Sequence, residues 1–365
     1  MKRVIIFVLC GMLGASLLTG CDKKESELDI ETFAGTSEPT EATTKETQTT
    51  TAETEHPGNM DPLTGLYDLP DEAVGKRPVA VAINNVAEAM PQYGVVEAEV
   101  VFETLVEGTL TRLLAVYSDC VNLPDICSVR SYRYYFPPLA LGFDAFYVHW
   151  GRDPSMIDYY NELDMDAFDG DAFGHFFTRD RERLNQGYNI EHTSVFEGPL
   201  FAETMKSEGY RLDIDPKLAG PAFKFNKGLE NIAPEGEKCT YVKVDFGGQW
   251  SSFEYNEKEK KYYKTNYGEP QCDGKTGEQM SFTNLFILET DIWIRPDGVH
   301  KGINWNGGDG AVGHYISGGK IHEITWSKVD EYSRLKFFEL DGKELSINRG
   351  KSYITLCYDD SLYYE

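Results

Sequence analysis

Two hydrophobic patterns alternate along this chain, and they change in kind near residue 220. "RPVAVAINN" (77–85) is apolar through its middle, the pattern of a strand covered on both faces. "EVVFETLVEGTLTRLLAVYSD" (99–119) reads as two strands of a hairpin turning near Gly108. "YRYYFPPLALG" reads as a short helix interrupted by Pro137 and Pro138, and "AFYVHWG" (145–151) as a core strand. "PSMIDYYNEL" and "GPLFAETMKSEG" have helical spacing, the second stopping at Gly209. After Pro221 the helical spacing ends. "AFKF", "TYVKVDF", "SSFEYN", "KYYKTNY", "FTNLFILET", "GHYISGGKIHEITWSK", "LKFFEL" and "KSYITLCY" follow at short intervals, separated by turn residues such as "DG" and "NRG". The pattern predicts an α+β protein: a mixed α/β ectodomain over 60–220 and a β-rich antiparallel one over 221–365. Length alone points to two domains.

The first 60 residues follow other rules. "MKRVIIFVLCGMLGASLLTGC" has a basic start, an apolar stretch and small residues before Cys21, which is a secretory signal. "LTGC" is similar to the lipobox of bacterial lipoproteins, in which the cysteine is lipidated and begins the mature chain. Residues 1–21 are therefore read as a signal peptide with lipobox, and Cys21 as the lipidation site. Each buried methylene of a lipid contributes about 0.8 kcal/mol, so several acyl chains hold a protein to the outer face of the cytoplasmic membrane. Residues 22–59 are dominated by Thr, Glu, Ala, Ser and Pro, without apolar periodicity. Such a segment buries too little to offset its ordering entropy and reads as a disordered tether, spanning about 35 Å.

Charge narrows the partners. Lys2 and Arg3 are the only charges of the signal, so 33 basic residues against 60 acidic ones remain after it, a net of −27. Nucleic acid and anionic headgroups both repel such a chain, which leaves the lipid as its membrane contact. Of the cysteines, Cys120, Cys127, Cys239, Cys272 and Cys357 remain once Cys10 and Cys21 are set aside. Five is odd, so at least one thiol stays free. Cys120 and Cys127 flank "VNLPDI", a turn able to bring them together, and buried free thiols are the alternative.

Chemistry is harder to place. His322-Glu323 begins a zincin-like pair, but Trp326 stands where the second ligand belongs, and no metal or cofactor site is expected. "SGG" (317–319) reads as a turn, not a nucleophile. Cys127 followed by Val-Arg, with His149 as base, would be a transpeptidase-like arrangement, but the Gly/His framework ahead of such a cysteine is missing. Glu103 and Glu107 as glycosidase carboxylates would stand about 13 Å apart along a strand, beyond the spacing that reaction uses. A hairpin that sets Leu105 opposite Arg112 would gather Glu103, Glu107 and Arg112 on one face as a structural ion network.

Arg130 and Arg133 carry two readings. Three residues apart at a helix start, they form a fork for an anion; or they pair with Glu103 or Glu107. His149 and Arg152 follow a core strand, where sheets often open a ligand crevice. Tyr315, Lys320, Trp326 and Lys328 alternate along a hairpin, with Trp326 expected in the core and Lys320 in solvent.

Several strings together resemble one family: "DPLTGL", "RPVAVAINN", "VVFETLVEGTLTRLLAVYSD", "SVRSYRYY", "YISGGKIHEITWSK" and "DGKELSINRGKSYI". The chain is similar to the YerB-like lipoproteins, domain-of-unknown-function family 3048. The resemblance implies a two-part ectodomain and supplies no catalytic mechanism. Where that family has Gly-Pro before "VRS", this chain has Cys127-Ser128, and where it has "HN", this chain has His192-Thr193. On this reading the protein is a non-enzymatic binding or accessory module of the cell envelope, its partner an envelope protein or a wall polymer. A wall-remodelling hydrolase or transferase is the alternative.

Overall fold

A computed structural model describes residues 56–308 and 310–365, which belong to one compact unit, Glu55–Glu365. The signal segment, Cys21 and the tether as far as residue 55 lie outside the described residues. Sheet dominates, and the fold is α+β.

The centre is an eleven-stranded sheet. From one edge to the other run Lys336–Phe338, Lys320–Ser327, Ala311–Ser317, Asn284–Glu289, Ser352–Cys357, Val100–Glu107, Leu110–Tyr117, Val79–Asn84, Phe146–His149 and Ala167–Asp169, with Glu237–Lys238 paired to Lys320–Ser327. Strands from before and after residue 220 therefore share one sheet. The join is Ser352–Cys357, which pairs in parallel with Val100–Glu107 on one side and with Asn284–Glu289 on the other. All six residues of that strand are buried, as its run "SYITLC" demands between two neighbours. The change near residue 220 is a change of element type; the sheet continues across it. The later half is also not wholly antiparallel, since both neighbours of Ser352–Cys357 run with it.

Each face of the sheet has its own core. Val79, Val81, Val101, Leu105 and Leu113 meet Val242, Val244, Phe253, Tyr262 and Phe282, several of them from a second, six-stranded sheet. Ala80, Phe102, Leu114, Phe286 and Trp326 form the other core with the helix Phe136–Leu141. That helix begins at the two prolines and is not broken by them. Pro137 and Pro138 occupy its first turn, where a missing N–H costs nothing. The helix Gly198–Glu208 stops at Gly209, whose φ of 78° is the left-handed C-terminal conformation. "SGG" is a turn, joining Ala311–Ser317 to Lys320–Ser327 with Gly318 and Gly319 at φ 59° and 78°. "AFKF" forms no strand; only Phe225 bridges to Ile347. Trp326 and Tyr315 are core, Lys320 is exposed, and Lys328 is buried against the carbonyls of Asp330, Glu331 and Ser333. Among the described residues no helix is long and apolar enough to cross a membrane.

Candidate functional site

The hairpin that carries the charges has a register one residue away from the expected one. Arg112 stands opposite Thr104, and Leu105 opposite Thr111. A bulge between Leu105 and Glu107 then restores pairing at Glu107 with Leu110. Because side chains alternate faces, the inserted residue reverses the parity of the strand beyond it. Glu107 and Arg112 therefore share one face, while Glu103 points to the other. The expected cluster of Glu103, Glu107 and Arg112 does not exist as a unit.

On the Glu107 face, one carboxylate serves several basic side chains. Arg133 pairs with Glu107 directly, Arg112 approaches it at 3.4 Å and His300 Nε2 at 3.5 Å. Arg112 also donates to the Ser131 carbonyl at 2.8 Å. Arg130 turns elsewhere, to Glu191 at 3.0 Å. Arg130 and Arg133 are thus no fork: residues 128–133 are not helical, and the helix begins only at Phe136. Burial, and then the neighbouring charge of Arg130, push the Arg112 guanidinium down to about 9.

Arg112 and Arg130 line an open cleft of about 430 Å³ at the end of the central strands. Glu88, Glu107, Glu191 and Asn84 stand on its polar wall, with Thr111, Asn189 and His192. Asn84 Nδ2 lies 2.9 Å from His192 Nδ1, which fixes that ring at the rim. The cleft presents both signs of charge, and its volume lies in the range of small-ligand sites. Arg133 reaches the same Glu107 but does not line the cleft, being almost wholly buried behind it.

His149 and Arg152 lie apart from this cleft. Both ring nitrogens of His149 are occupied, Nδ1 by the Gly151 carbonyl at 3.0 Å and Nε2 by the Tyr160 hydroxyl at 2.9 Å. Arg152 binds Asp169 at 2.7 Å. His149 therefore has no free nitrogen to act as base for Cys127. The Cys127 thiol is buried, its acidity weakened to about 11 by that burial, and it lies 3.9 Å from the His192 carbonyl, with the Tyr93 hydroxyl also beside it. Cys120, Cys127, Cys239, Cys272 and Cys357 are all free. No group of three metal-ligating side chains converges among the described residues.

Burial holds His149 neutral and pushes it down to about 4. An unfolded histidine takes up its proton near pH 6.5, so this site contributes stability that is full above that value and lost as pH falls towards 4. The loss amounts to about 3 kcal/mol over that window. Wild type and His149→Gln are to be compared by denaturant melts between pH 7.5 and 4.5. The wild-type advantage should shrink on acidification, and parallel curves would contradict it.

The opposite face of the hairpin holds a network that the sequence did not disclose. Glu103 is fully buried and accepts from Asn85 Nδ2 at 2.9 Å, Thr111 at 2.8 Å, Ser251 at 2.9 Å and Tyr353 at 2.9 Å. Lys264, from the second sheet and equally buried, lies 3.2 Å away. Gln92, Gln249, Asn266 and Gln271 close the remaining polar groups around Asn85.

Two family models match this chain, the N-terminal domain of DUF3048, a protein of unknown function, over residues 63–211 and its C-terminal domain over 242–354. The chain belongs to the DUF3048 family. A relative in Bacillus subtilis (strain 168), named "Putative lipoprotein YerB", is 30% identical over 313 residues, covering 82% of this chain and 86% of the relative. The crystal structure of the YerB protein from Bacillus subtilis superposes with a TM-score of 0.71 at 29% identity, covering 83% of this chain and 98% of that one. In this DUF3048 chain the cleft residues Asn84, Glu88, Glu191 and His192 were missed from sequence. Only Asn84-Asn85, two amides closing an otherwise apolar strand, carried a signal: one faces the cleft and the other the buried network.

Proposed function

We propose that this protein is a lipid-anchored binding module of the bacterial cell envelope, and that its ligand enters the cleft of Arg112 and Arg130. The observation that carries this is the cleft's mixed charge. Arg112 is nearly buried and crowded by Arg130, and beside its bond to the Ser131 carbonyl its carboxylate contact is a long one, to a Glu107 shared with Arg133. A ligand carboxylate between the two guanidinium groups relieves that crowding. Glu88 and Glu191 on the same wall suit an ammonium group. The matching chemistry is a zwitterionic peptide, such as the stem peptides of a cell wall. The anchor reading rests on "LTGC" and on the lipoprotein name of the Bacillus subtilis relative. With Cys21 lipidated and residues 22–59 as tether, the body stands at wall height above the membrane.

The two halves have separate tests. Cys21→Ala should release the protein from the membrane fraction or leave its precursor unprocessed, and a variant fractionating like wild type rejects the anchor. Purified wall sacculi should sediment the wild-type protein at low salt, and Arg130→Glu should reduce that at least tenfold. Equal sedimentation of the two proteins rejects the cleft.

A further inference from the structure

Lys264 is the least expected residue in the molecule. It lies in the strand Lys261–Asn266 with no exposed surface, near the rings of Phe253 and Tyr353, 5.8 and 5.9 Å from their centroids. Its Nζ has three polar neighbours: Ser251 Oγ at 2.7 Å, Gln271 Oε1 at 2.7 Å and Glu103 Oε2 at 3.2 Å. Gln271 is held from both sides. Its backbone N–H donates to the Lys264 carbonyl at 3.1 Å, and its side-chain amide nitrogen donates to Gln92 Oε1 at 2.7 Å and Asn85 Oδ1 at 3.0 Å. The carbonyl of that amide is therefore fixed towards the lysine, and its carbon lies one bond, about 1.2 Å, beyond the oxygen Lys264 already touches.

A buried amine with an amide and a carboxylate both in contact with it makes a reactive set. Four neutral donors already satisfy Glu103, so its carboxylate does not need Lys264 as a counter-ion. Burial lowers the affinity of the Lys264 amine for its proton, against the opposing pull of Glu103, which eases release of the nucleophilic amine.

We propose that Lys264 and Gln271 join spontaneously in an intramolecular amide bond, with Glu103 moving the protons. Glu103 takes a proton from the Lys264 ammonium, and the freed Nζ electron pair attacks Cδ of Gln271. The Nζ–Cδ bond forms as the carbonyl electrons move onto Oε1. A second Nζ proton passes to Nε2, the carbonyl re-forms and the Cδ–Nε2 bond breaks. Ammonia leaves and takes back the proton held by Glu103, departing as ammonium with the carboxylate restored. One ammonium enters and one leaves, and no oxidant or co-reactant is required. Fixed contact geometry and exclusion of water favour such a step. The product replaces a buried charge by a neutral amide and closes the hairpin in which Thr265 pairs with Pro270.

Peptide mapping of the full chain, extracted in detergent, denatured and digested with trypsin, tests this. Trypsin does not cut after an acylated lysine, so the linked protein yields Tyr262–Lys275 as one peptide, lighter than its sequence by one ammonia. Fragmentation should give no separated products between Lys264 and Gln271. This form is expected in most molecules. Recovery mainly as two peptides cut after Lys264, with Gln271 intact, overturns the proposal. So does an ammonia deficit lying at Asn266 in a peptide that trypsin has cut after Lys264. Glu103→Gln should lower the linked fraction at least tenfold, and a wild-type yield in that variant overturns the role of Glu103. If Glu103→Gln does not fold, the wild-type map alone decides.

Discussion

Glu103→Ala should cost the protein about 4 kcal/mol or more in a denaturant melt. Three losses combine. Lys264 is left in a dry interior without its carboxylate, and Asn85, Thr111, Ser251 and Tyr353 lose their common acceptor. A void also opens between two stacked sheets, in surroundings built from Val101, Leu105 and Phe253. Adding Lys264→Met should recover part of the loss, because it removes the unlinked amine that Glu103→Ala leaves in the dry interior. A Glu103→Ala protein within 1 kcal/mol of wild type would show that the network does not hold the sheets together.

Arg133→Gln should be the second large effect, at about 2–3 kcal/mol. The guanidinium lies behind the cleft, paired with Glu107 and donating to the Tyr132 carbonyl at 2.7 Å. Glu107 keeps Arg112 and His300 and is partly exposed, so the figure falls below that for a sealed pair. Arg130→Gln should cost under about 1 kcal/mol, because its partner Glu191 is half in solvent. The arginines of "SVRSYRYY" therefore divide: Arg133 is structural and Arg130 faces outward. Equal melting of the two variants would contradict that division.

Much of this was legible in the sequence, and the failures have physical causes. The hairpin at 99–119 and its turn at Gly108 follow from apolar runs around a glycine, whose φ is 54°. Its register could not be read, because Val106 sits at a bulge inside an apolar run and alternation carries no mark there. The shared sheet was hidden because Ser352–Cys357 pairs with residues some 250 positions earlier, a contact no local pattern reports. Lys264 lies in "KYYKTNY", a run that reads as a strand with solvated lysines. Its burial depends on Glu103, from a segment that looks unrelated. The arginine run advertised charge in a core. The partner Glu191, in the short 3-10 turn Ile190–His192, did not advertise itself.

On the binding proposal, Arg112 and Arg130 receive the ligand together. The most direct measurement follows the arginine side-chain Nε–H signals by NMR while a soluble wall stem peptide is added to the protein. The Arg112 and Arg130 signals should move together and saturate, while Arg152, engaged with Asp169 elsewhere, stays still. Movement at Arg152 with Arg112 and Arg130 unchanged, or no movement at any of the three, would contradict it.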